Sequence, residues 1–225
     1  MIVDFFPVRC YAFYNMEQGR NCFLKQRLLY LHGKGGSARE AEHYAALLPD
    51  FDVVGLDYHA AAPWEAQAEF ASLFDQAARG GSALVLANSI GAYFALHALT
   101  EKPVDRLLLI SPVVDMEALI VGMMAAANVT EDELREKGTI KTAFGEPLSW
   151  AYLNWVRAHP VECRLPVDIL YGENDALQPL DAVCRFARRC GASLTVMPGG
   201  EHWFHTGEQM QFLDNWLKGK INHES

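Results

Sequence analysis

The hydrophobic positions fall into two kinds of run. Leu28–Leu31, Val53–Leu56, Leu84–Ala87, Leu107–Ile110, Val167–Tyr171 and Leu194–Met197 are short. Most of them are continuously apolar and end in Gly, Pro, Asp, Asn or Ser. Such runs suit strands buried on both faces of a parallel sheet. Between most of them lie stretches with helical spacing: Glu40–Leu48, Trp64–Arg79, Ile90–Leu99, Leu180–Arg189 and about Thr206 to Leu217. In the second of these, Trp64, Ala68, Ala71 and Phe74 place apolar groups on one face. The alternation predicts an α/β domain, a mostly parallel sheet with helices on both faces.

Two regions depart from this rhythm. Val3–Tyr14 and Cys22–Leu31 flank a polar, turn-like segment from Asn15 to Asn21, which predicts an antiparallel hairpin at the sheet edge. Residues 112–166 separate two strands by far more than a crossover needs. Their content reads as helical: Met116–Ala127 is apolar, Thr130-Glu131-Asp132-Glu133 has the form of a capping box, and Leu148–Val156 carries Trp150, Tyr152, Leu153 and Trp155. The expectation is one domain over residues 1–225 with a helical lid inserted at 112–166. An ordinary excursion packed on the core is the alternative. Gly80 to Thr100 lacks charge, but Asn88, Ser89, His97 and three glycines fit strand, turn and buried helix better than a membrane span.

Composition narrows the function classes. With 225 residues, 51% hydrophobic and 21% charged, the chain can fold without staples and is not a disordered sequence. A formal net charge of −9 argues against unaided binding to nucleic acid or an anionic membrane. Five cysteines without CxxC spacing point to reduced structural thiols rather than to disulfides or zinc. The start Met1-Ile2-Val3-Asp4 lacks the form of a signal peptide, so a cytoplasmic protein is expected.

The most informative stretch is Leu84-Val85-Leu86-Ala87-Asn88-Ser89-Ile90-Gly91. A serine stands between a buried strand and a helix, with small residues two positions to either side. A sharp strand-to-helix turn exposes such a serine and needs those small neighbours, because adjacent chain comes close. It also brings the N–H of Ile90 to the helix start, where it can stabilise a developing oxyanion. A serine before a helix is also an ordinary N-cap, so partners must decide. A serine nucleophile needs a base, and a histidine base needs an acid to fix its tautomer. His202 follows the last strand run and the turn Pro198-Gly199-Gly200-Glu201, and Asp175 lies just past Ile169-Leu170-Tyr171. All three therefore fall beyond the ends of parallel strands, on the sheet edge where open α/β sheets bind ligands. His205 is a competing base; Glu173 and Asp115 are competing acids. The glycine-rich loop His32-Gly33-Lys34-Gly35-Gly36 offers the N–H of Lys34 as a second oxyanion donor. It lacks the pattern of a P-loop or a dinucleotide loop.

Together these pieces resemble the α/β-hydrolase superfamily, in particular its small serine hydrolases and esterases. The resemblance rests on the His32-Gly33 loop, the elbow at Ser89, the acid loop Tyr171-Gly172-Glu173-Asn174-Asp175 and the loop Pro198-Gly199-Gly200-Glu201-His202. The usual first glycine of the elbow is replaced by Ala87. The resemblance implies Ser89, Asp175 and His202 as catalytic residues, backbone N–H groups of Lys34 and Ile90 as the oxyanion hole, and no metal or organic cofactor. It implies a small acyl substrate: an ester or thioester, alternatively an amide, peptide or carbon–carbon bond. A noncatalytic binding protein that kept the fold is the remaining alternative.

Overall fold

The computed structural model describes residues 25–222. Six strands form one sheet: β1 (Arg27–Leu31), β2 (Asp52–Gly55), β3 (Ala83–Asn88), β4 (Val104–Ile110), β7 (Val167–Gly172) and β8 (Ser193–Met197), in the order β2-β1-β3-β4-β7-β8. Every pairing in it is parallel. The first arm and the turn of the expected hairpin lie outside the described residues. Arg27–Leu31, from its second arm, pairs in parallel with both β2 and β3.

Helices cover both faces because alternate residues of each strand point opposite ways. Leu29, Leu31, Val85, Leu107, Leu109 and Ile169 belong to one core with α2 (Pro63–Ala78), α3 (Ile90–Ala98) and α7 (Leu180–Cys190). Leu28, Tyr30, Leu84, Leu86, Leu108 and Leu170 belong to the other, with α1 (Ala41–Leu47) and α8 (Gly207–Asn222). The central strands are thus apolar on both sides, which is why they read as unbroken runs.

The buried face of α2 is Pro63, Ala66, Phe70, Phe74 and Ala78, so Phe74 alone of the expected stripe faces the core. Trp64 is exposed, as is Ala68. Both stripes have helical spacing and share Phe74; the observed one adds full burial of Phe70, which contributes about 1.5–3 kcal/mol.

Residues between β4 and β7 form α4 (Met116–Ala126), α5 (Glu131–Lys137), the two-residue strands β5 (Thr139–Ile140) and β6 (Leu148–Ser149), and α6 (Trp150–Ala158). The expected capping box is present at α5: Thr130 Oγ1 accepts from the Glu133 N–H, and Glu133 accepts from the Thr130 N–H. The antiparallel β5–β6 ladder was not foreseen, because two residues carry no readable period. Met116, Ile120, Met124, Leu134, Leu148, Leu153 and Val156 merge with the core on the α2–α3 side. Along that seam, His97 on α3 meets Trp155 on α6 edge-on at 4.9 Å, and Trp64 meets Tyr152 at 5.7 Å. Burial, reinforced by His159, holds the His97 imidazole down to about 4, so it is neutral near pH 7. No described helix is long and apolar enough to cross a membrane.

Candidate active site

Ser89 leaves the end of β3 with φ 53° and ψ −117°, a left-handed backbone that a non-glycine residue rarely adopts. The turn is pinned on both sides: the Ser89 N–H donates to the Ile110 carbonyl at 3.0 Å, and the Ser89 carbonyl accepts from Val113 N–H at 3.2 Å. The small neighbours have visible reasons. A Cβ on Gly91 would lie 2.3 Å from the His32 carbonyl oxygen, so any other residue would push α3 off the loop after β1. Ala87 is fully buried in the core.

Asp175 and His202 reach Ser89 from β7 and β8. The two loops are stitched together by backbone: Glu173 N–H donates to the Met197 carbonyl at 3.0 Å and Asn174 N–H to the Gly200 carbonyl at 2.7 Å. A Cβ on Gly172 would lie 2.4 Å from the Glu201 carbonyl oxygen, so the loops close only over glycine. The result is a continuous chain of side chains. Ser89 Oγ lies 2.8 Å from His202 Nε2, and His202 Nδ1 lies 2.7 Å from Asp175 Oδ2. A carboxylate only accepts, so Nδ1 carries the proton and Nε2 keeps the lone pair that accepts from the serine hydroxyl. The Asp175 side chain is fully buried, and its Oδ1 accepts from the N–H groups of Leu177 (2.8 Å) and Gln178 (3.1 Å). These donors fix the carboxylate behind the imidazole.

Competing residues are occupied elsewhere. Glu173 accepts from the Gly199 N–H at 2.9 Å, and Asp115 caps α4 by accepting from the Ala118 N–H at 3.0 Å. His205 precedes α8; its Nδ1 donates to the Trp203 carbonyl and its ring stacks on Trp203. His32 is buried, donates from Nδ1 to the Gly33 carbonyl and stacks on Tyr58 at 4.2 Å.

A cavity of about 400 Å³ opens beside Ser89, lined by the loop Gly33 to Gly36, Asn88, Leu177, His202, Trp203 and Glu40. The N–H groups of Lys34 and Ile90 have no hydrogen-bond partner among the described residues. The Lys34 side chain turns to the carboxylate of Glu146, in the loop between β5 and β6.

One structural residue escaped the sequence reading. Gln178 is fully buried; its Oε1 accepts from the N–H groups of Val114 and Asp115, both at 2.9 Å, and its Nε2 donates to the Asp115 carbonyl at 3.3 Å. It fastens the Asp175 loop to the start of the segment after β4. The only available hint was a glutamine placed before Pro179, and that does not reveal burial. Among the described residues, no group of His, Cys, Asp or Glu is placed to hold a metal ion.

No protein-family model matches the chain, and no curated protein matches it by sequence. Solved structures do. The chain is similar to mouse alpha/beta hydrolase domain-containing protein 10 at 16% identity and a TM-score of 0.72, covering 93% of each chain. It is similar to Est1E from Butyrivibrio proteoclasticus at 17% identity and 0.63, covering 88% of each. A thermophilic esterase from Thermogutta terrifontis matches at 15% identity and 0.59, over 88% of this chain and 90% of that one. At such identities the likeness is one of fold, and the fold is that of the α/β-hydrolases.

Proposed function

We propose that the protein is a serine hydrolase that cleaves small carboxylic esters or thioesters through an acyl-enzyme. The observation that carries this reading is the unbroken chain Ser89–His202–Asp175 at the floor of an open cavity. Among the proteins of similar fold, the one from Thermogutta terrifontis is described as an esterase, which agrees with it.

In this mechanism Ser89 Oγ attacks the acyl carbon while its proton passes to His202 Nε2. The negative charge on the carbonyl oxygen is taken up by the N–H groups of Ile90 and Lys34, both without a partner in the described protein. Asp175 balances the imidazolium and holds its tautomer. The bond to the leaving oxygen or sulfur then breaks, and His202 returns the proton to it. Water repeats the two steps at the acyl-enzyme: its proton goes to His202, its oxygen to the acyl carbon, and Ser89 recovers its hydrogen as the acid departs. Residues 112–166 act as a lid in this reading, with the Lys34–Glu146 pair holding the β5–β6 loop against the oxyanion loop. A cytoplasmic setting would keep the free thiols of Cys163, Cys184 and Cys190 reduced.

Ser89→Ala removes the group that is acylated. Turnover of p-nitrophenyl acetate or butyrate should fall by about 10³-fold or more, with the melting temperature retained. Undiminished turnover in that variant would refute the assignment.

A further inference from the structure

Among the described residues, the charged groups around the cavity beside Ser89 do not balance. Lys34 lines it, but its ammonium is already matched by Glu146. Glu40 lines it too and has no cationic partner among the described residues. Its Oε2 accepts from the Tyr30 hydroxyl at 2.5 Å and its Oε1 from the Ser37 N–H at 3.0 Å. Both donors are neutral, so the carboxyl group is fixed in place without a cation beside it. Lys34, Glu146 and Glu40 together leave one net negative charge at the mouth.

Glu40 also lines an adjoining cavity of about 400 Å³, which shares Asn88 and Trp203 with the first. Tyr30 and Tyr44, both buried in the core, form its inner wall. Its two histidines bring no surplus positive charge: His43 Nε2 lies 2.8 Å from Asp214, and His205 lies 3.5 Å from Glu201. Trp203, 69% exposed, stands where the two cavities meet. A fixed carboxylate beside the exposed indole of Trp203 is a setting in which an alkylammonium group is held, by charge and by cation–π attraction. The net charge of −9 adds a long-range pull of the same sign.

We infer that the part of the substrate that enters beside Glu40 is cationic, and that Glu40 and Glu146 select against anionic substrates: Glu40 by attracting an ammonium group, Glu146 by occupying the one lysine that an acidic substrate would use. This rests on the hydrolytic reading of Ser89.

The test uses three acetyl thioesters, with a cationic (thiocholine), a neutral (ethanethiol) and an anionic (3-mercaptopropionate) leaving group, each followed by thiol release. They are compared in the full-length protein, in Glu40→Gln, in Glu146→Gln and in the double variant. Glutamine at 40 keeps an amide oxygen for the Ser37 N–H, so the turn is preserved. The reading is the cation-to-anion ratio of kcat/KM, from which differences in intrinsic thioester reactivity cancel between proteins. The ratio should fall about fivefold for each carboxylate neutralised, mainly through KM, and should shrink with added salt in the unmodified protein. A ratio that stays constant across the four proteins overturns the inference. Labelling of Ser89 by an uncharged fluorophosphonate in the same samples separates the two levels. Labelled proteins with a constant ratio refute charge selection alone; an unlabelled parent protein refutes the hydrolytic reading, and the selectivity with it.

Discussion

The strand-end edge of the sheet and the segment inserted between β4 and β7 are held by different means. At the edge, backbone sets the geometry. Ser89 is pinned to Ile110 and Val113, the loops of Asp175 and His202 are stitched to each other, and Gly91 and Gly172 sit against carbonyl oxygens. In the insert, apolar side chains press on the core, while charged side chains link its helices. Arg157 on α6 bonds Glu117 on α4 and Glu131 on α5 at 2.7 Å each. Backbone bonds and close contacts tolerate little displacement. Surface ion pairs can form and break at small cost. A precise constellation belongs on the first kind of scaffold, and the lid proposed for residues 112–166 would need the second.

The largest break in this comparison comes from the edge. Asp175→Asn keeps the side-chain volume but removes the fixed acceptor for His202 Nδ1–H, so kcat for ester turnover should fall by about 10⁴-fold with little change in melting. A loss of only a few-fold would mean that the imidazole is oriented by something else. Next, Gly91→Ala forces a methyl group against the His32 carbonyl and should lower stability by about 3 kcal/mol, read from urea unfolding. Equal stability would show that the loop after β1 yields, contrary to a rigid edge.

The seam between edge and insert gives a smaller, pH-dependent effect. The folded His97 titrates down near 4, mainly through burial and secondarily through His159, whereas the unfolded side chain titrates near 6.5. Between these values the unfolded chain binds the extra proton. Stability from this site is therefore full above about pH 6.5 and declines as pH falls toward 4. After allowance for its partial exposure, the loss should reach about 2 kcal/mol. His97→Phe should flatten that acid limb, as followed by melting temperature across pH 4–7; an unchanged limb would assign the effect elsewhere. The smallest effect is expected for Arg157→Ala, a slight and salt-sensitive drop in melting temperature. A large drop would show that ion pairs rather than apolar contacts hold the insert.

Much of the fold was legible because the sheet is buried on both faces: Leu84 to Ala87 and Leu107 to Ile110 have no polar alternation to blur them. The positions of Ser89, Asp175 and His202 were legible for the same reason, since each follows a strand that points the same way. What stayed hidden depends on contacts between distant segments. The face that α2 buries was misjudged because two stripes have equal periodicity and only the neighbouring core chooses between them. Gln178 looks like a loop residue until the Val114 and Asp115 N–H groups arrive to be satisfied. The partner of Lys34 lies in a loop whose flanking strands are two residues long.

In the proposed function, Ser89 owes its reactivity to the folded arrangement around it. Mass-mapped reaction with a fluorophosphonate, on native and on urea-unfolded protein, tests it most directly. A single adduct on Ser89 is expected in the native protein, absent after unfolding and absent in Asp175→Asn at short reaction times. A native protein that stays unmodified, or that is modified at another side chain, would contradict it.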